Sequence, residues 1–130
     1  MDELICKLVA YNGSLQLAHW TADTVTNEHK ALGDLYETMS ELTDEFAQTY
    51  MGKNGVIEIC DAEVCKMENP VQDGLELTKE LTTNLTEGDD DDLLNIVADM
   101  NIALNTARYL LKSKQTKISG VFSKADMPKE

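Results

Sequence analysis

Two histidines and one short acidic run are the residues of this chain best suited to chemistry. His19 and His29 are its only imidazoles, Trp20 beside His19 is its only tryptophan, and SELTDEFAQ (40–48) supplies Glu41, Asp44 and Glu45. Imidazole nitrogen and carboxylate oxygen together form a ligand set for iron and similar divalent metals. Other chemistries lack parts. There is no GxSxG, no Walker-type glycine loop and no GxGxxG. Nothing in the spacing sets Cys60 or Cys65 beside a histidine, as a cysteine nucleophile would need. The plainer reading makes the histidines helix-end caps or satisfied polar contacts. On that reading Asp34, Glu37, Glu41 and Glu45, three or four residues apart, are a solvated or cavity-facing acidic stripe.

Helices must position these groups. Only Pro70 and Pro128 interrupt the 130 residues, and no alternating strand pattern appears. The spacing predicts a first helix over 2–19, with Leu4, Leu8, Leu15 and His19 close to one face and Gly13 weakening its middle. Thr21, Asp23 and Thr24 offer capping oxygens for a second helix. Val25, Leu32, Leu35, Met39, Leu42, Phe46 and Tyr50 mark that helix, which runs to Met51 and stops at Gly52. Residues 56–67 form a crossover with one or two helical turns. A third helix opens at Pro70 and covers 71–87 until Gly88. A fourth begins after four aspartates, 89–92, and carries apolar residues at 93, 94, 97, 100, 104, 107 and 111. Those aspartates suit a helix N-terminus; a calcium loop would need alternating ligands and a glycine. The expected fold is all-α: a four-helix bundle over 1–113, ferritin-like in connectivity because the second link is long enough to cross the bundle, followed by a basic tail, 114–130.

Composition narrows the function classes. The net charge is −13. Residues 1–107 hold 5 Lys/Arg against 22 Asp/Glu, whereas residues 108–130 hold 6 against 2. The body should attract cations and repel nucleic acid, so DNA is not an expected partner. No apolar run is long enough for a membrane span, and the N-terminus does not read as a secretory signal. Cys6, Cys60 and Cys65 are odd in number and lack metal spacing, which argues for free thiols in a reducing, cytoplasmic setting.

Helix geometry then constrains the metal reading. Asp44 follows His29 by 15 residues, which leaves them on one broad face but about 22 Å apart along the axis. A metal–ligand bond is about 2 Å, so one chain cannot close a His29–Asp44 site. Two chains can, if their second helices pack antiparallel about a two-fold axis near residues 36–37. Gly33, Tyr36, Glu37 and Ser40 would lie in that contact, and symmetry would create two equal sites.

The residues 17–55 also resemble a known family. HW, a histidine ten residues beyond the first, and DEFAQ fifteen residues after that are similar to the motif of the Dps-type miniferritins. The phrase HKALGDLYETMSELTDEFAQTYMGKNG looks most like the small Dps-like proteins of bacteriophages. The resemblance implies a ferritin-like bundle, a hollow dodecamer, and iron bound and oxidised between two-fold-related subunits. The motif's metal ligands fall on His19, His29 and Asp44, and its near-site tryptophan on Trp20. One position departs: Gln48 stands where the motif has glutamate. Its amide oxygen can ligate but brings no charge, which weakens a ferroxidase site unless Glu41 or Glu45 compensates. The loop between the histidines is also two residues shorter than in typical members. The resemblance implies a bacterial or phage-infected cytoplasm. The alternative is an oligomeric structural or interaction protein, such as a virion component, with a degraded metal site and ISGVFSKADMPKE as a docking segment.

Overall fold

The computed structural model describes the backbone of residues 1–120 and the side chains of residues 1–112. It is all-helical among those residues: α1 (Asp2–Thr21), α2 (Asn27–Asn54), α3 (Pro70–Thr83) and α4 (Asp91–Gly120). Helix α4 therefore continues through the first seven positions assigned to the basic tail, and 121–130 lie outside the described residues. No described helix is long and apolar enough to cross a membrane.

Each helix packs on two others. Helix α1 lies against α2 and α3, and α4 lies against the same two, so α1 and α4 are diagonal, as are α2 and α3. The core is built from one stripe per helix, including Leu8 and Leu15 from α1, Met39 and Phe46 from α2, Leu81 from α3, and Leu93, Met100 and Leu104 from α4, all almost fully buried. Burying a side chain of that size contributes about 1.5–3 kcal/mol. Two polar pairs, one buried and one part-buried, tie neighbouring helices together. The Asn12 amide donates to Thr43 Oγ1 at 2.8 Å, joining α1 to α2 one residue before Asp44. The Thr78 hydroxyl donates to Asn101 Oδ1 at 2.6 Å, joining α3 to α4.

Several boundaries differ from expectation, each for a local reason. The cap of α2 is Thr26, whose Oγ1 accepts from the His29 amide at 3.1 Å; the Thr21 hydroxyl instead bonds back to Leu17 O within α1. Val25 lies before α2 and is exposed. Helix α2 passes through Gly52, since a helical glycine costs only about 1 kcal/mol. It ends at Gly55, whose φ of +88° only glycine adopts readily. Helix α3 starts with Pro70 behind an Asn69 cap and stops at Thr83, short of the expected 87. Aspartates 89–92 serve the turn and the start of α4. Asp90 and Asp91 accept amide protons from Thr86 and Gly88, and the Lys53 ammonium bridges Asp90 and Asp92 at 3.4 and 2.9 Å. Its hydrogen bond holds the Asp92 carboxyl below the usual range, and the same bond chiefly raises Lys53.

The link between the diagonal helices is the main correction. Residues 55–69 contain no helix. They run extended along α1, from its start toward its end, as a strap. The Glu58 amide donates to Asp2 Oδ2, Cys60 is disulfide-bonded to Cys6, and the Cys65 amide donates to Ser14 Oγ at 3.0 Å. Val64 closes over Gly13, where an added Cβ would stand 2.7 Å from its Cγ2. Gly13 is thus the place where the strap meets the helix, at some cost in helix propensity. The expected free thiols at Cys6 and Cys60 are paired because the strap brings residues 54 positions apart together. Cys65 alone is free, and it is exposed. The pairing removes the cysteine argument for a reducing compartment.

Candidate metal site

The α1–α2 turn determines how the histidines meet. Helix α1 ends with Thr21, and the Asp23–Thr26 turn closes through Val25 N to Asp23 Oδ1 and the Thr26 hydroxyl to Asp23 O. The Thr26 cap then starts α2, placing His29 one turn in. The two imidazole rings stack with centroids 4.1 Å apart and planes tilted by 32°.

Their hydrogen bonds are reciprocal. His19 Nδ1 lies 2.8 Å from the His29 carbonyl oxygen, and His29 Nδ1 lies 2.8 Å from the His19 carbonyl oxygen. A carbonyl oxygen can only accept. Both Nδ1 atoms therefore carry the proton, and in the neutral rings both Nε2 atoms keep a lone pair. A backbone carbonyl fixing one ring nitrogen so that the other is free to ligate is the usual outer support of a metal-binding histidine. Gly33 makes room for this: a Cβ there would stand 2.6 Å from His19 Cε1 and 2.9 Å from Nδ1. The sequence reading placed Gly33 at a contact between chains; its own fold uses it against His19. The same clasp also satisfies the histidines as polar contacts within one chain.

The carboxylates lie elsewhere on the chain. Asp44 and Gln48 are exposed on α2, and Gln48 Nε2 donates to Asp44 Oδ2 at 3.0 Å. Glu41 and Glu45 are exposed near them on α2. No cluster of three His, Cys, Asp or Glu able to hold a metal occurs among the described residues of one chain. The two imidazoles supply two nitrogen donors at one end, with Asp44 about 22 Å away along α2. Trp20 is largely exposed next to His19, and on α2 the Lys30–Asp34 ion pair of 2.9 Å engages one acid of the stripe. The reciprocal clasp and the role of Gly33 were missed by sequence reasoning. Their only trace is a glycine four residues after His29, which is too common a pattern to signal anything.

Compared with protein-family models, curated proteins and solved structures, the chain matches none of them.

Proposed function

We propose that this is a Dps-like protein that binds Fe(II) between subunits and stores it after oxidation. His19 and His29 of one chain would meet Asp44 of a two-fold-related chain, with Gln48 beside it and Glu41 or Glu45 as further carboxylates. Fe(II) is the substrate, and oxygen or peroxide takes its electrons. The observation that carries this reading is the reciprocal carbonyl clasp, which leaves two adjacent imidazoles with free Nε2 lone pairs. Support also comes from the helix order, in which a long link joins diagonal helices as in ferritin-like bundles. The acidic body, −17 over residues 1–107 from the counts above, favours cation entry.

His29→Ala tests it. The variant should lose aerobic Fe(II) oxidation followed by absorbance while keeping its helical circular dichroism. A wild-type protein that oxidises no iron above buffer and retains no metal by elemental analysis would refute the oxidation and binding together.

A second reading has its own support. The Gln48 amide occupies one oxygen of Asp44 and adds no charge, which favours an oligomeric structural protein whose metal site has decayed. Gln48→Glu separates the readings: it should tighten Fe(II) binding if the site is real though weakened, and change nothing if the bundle is only a scaffold.

A further inference from the structure

Helices α2 and α4 leave a groove on the outside of the bundle, with a volume of about 490 Å3. Leu35, Leu42, Ile102 and Leu110 line it, and its only charged lining residues are Asp34, already paired with Lys30 at 2.9 Å, and Asp99, which carries no ion pair among the described residues. Ile102 is 65% exposed and Leu110 41%, and Tyr109 beside them is 67% exposed. Large apolar groups grouped this way on a helix pair mark an interaction surface. The groove involves the α4 side of α2, whereas His29 and Gly33 face α1.

The chain carries a segment of matching chemistry. Lys117–Lys124, KISGVFSK, has Ile118, Val121 and Phe122 between two lysines, and no acid occurs anywhere from Lys112 to Lys124. The segment is therefore apolar at its centre and cationic at both ends, and the groove is apolar with two aspartates in its lining. Helix α4 prevents the segment from reaching its own groove. It is helical to Gly120, so at about 1.5 Å per residue that glycine lies about 15 Å beyond Leu110 and about 27 Å beyond Ile102. The two residues from Gly120 to Phe122 span at most about 7 Å. We infer that the α2/α4 groove receives Lys117–Lys124 of a second copy of this chain. The lysines set the partner: their charge is opposite to that of the acidic body of another copy, and complementary charge steers the two together.

The test replaces Phe122 of the full chain with a benzophenone amino acid and irradiates a mixture of isotopically heavy and light protein. Cross-links should map to the groove around Leu35, Ile102 and Leu110 and should join heavy to light chains. Ile102→Glu should lower their yield at least tenfold while helicity is retained. Asp34→Asn combined with Asp99→Asn should lower the yield and flatten its salt dependence. Cross-links only within one chain, cross-links mapping outside the groove, or none at protein concentrations near 100 μM (on the order of weak self-association) would each overturn the inference. A yield unaffected by Ile102→Glu would do the same.

Discussion

The disulfide between Cys6 and Cys60 offers the sharpest test of how the strap is held. Breaking it with reductant, or by Cys60→Ser, removes the covalent anchor at the middle of residues 55–69 while the helices keep their own packing. The bond closes a loop of 54 residues. Releasing that constraint raises the unfolded chain's entropy by about 14 cal/mol/K, a loss of about 4 kcal/mol in stability at 25 °C. For a domain of this length, about 4 °C of melting temperature corresponds to each kcal/mol, so the midpoint should fall by about 16 °C. The other anchors are two hydrogen bonds from strap amides, the Val64–Gly13 contact, and Ile57 and Met67 packed at the edge of the core; each such hydrogen bond contributes only about 0.5–1.5 kcal/mol. They cannot replace the covalent link. The assay is thermal unfolding by circular dichroism in a Cys65→Ser background, with and without reductant. Cys65→Ser removes the free thiol that could exchange with the bond. A midpoint that moves by less than about 3 °C, well below the 16 °C above, would refute the loop-closure account of how this bond stabilises the fold.

Gly33→Ala should push the His19 ring off His29, because the new methyl would sit inside contact distance of Cε1 and Nδ1. The expected cost is about 1–3 kcal/mol in urea unfolding, with the Nδ1 proton signals of both histidines lost from imidazole NMR spectra. Retained signals would mean the ring has room that the geometry denies it. Tyr11→Phe removes the hydroxyl that donates to Pro70 O at 2.7 Å, where the strap enters α3, and should cost about 1 kcal/mol at pH 7. Burial, and secondarily the charge of Asp73, pushes the Tyr11 phenol well above its ordinary value. A raised folded pKa means its contribution is intact below the unfolded value near 10 and is lost as pH rises from there toward the folded pKa. Wild-type stability should therefore fall above about pH 10, and more steeply than that of Tyr11→Phe. Parallel pH profiles for the two proteins would refute the burial argument.

The four helices, their order and the core stripe of α2 were legible in the sequence. Leu32, Leu35, Met39 and Phe46 recur at helical spacing, and all four are buried. So was the impossibility of a one-chain site from His29 and Asp44, because a helix's rise per residue follows from its geometry alone. These are local properties: they depend on residues a few positions apart, and the chain's own periodicity records them. Helix ends were less legible. Gly52 carries the same letter as Gly55, yet only Gly55 takes a positive φ, and that depends on where the following strap must go. The strap itself, the Cys6–Cys60 bond, the seat of Val64 on Gly13 and the reciprocal histidine clasp belong wholly to the tertiary structure. The clasp joins carbonyls to imidazoles ten residues apart across a turn, and the strap's contacts join residues more than fifty positions apart. No pattern along the chain encodes such meetings. They arise because the long link between diagonal helices runs back along α1 rather than along α4, and packing chooses which side chains it meets.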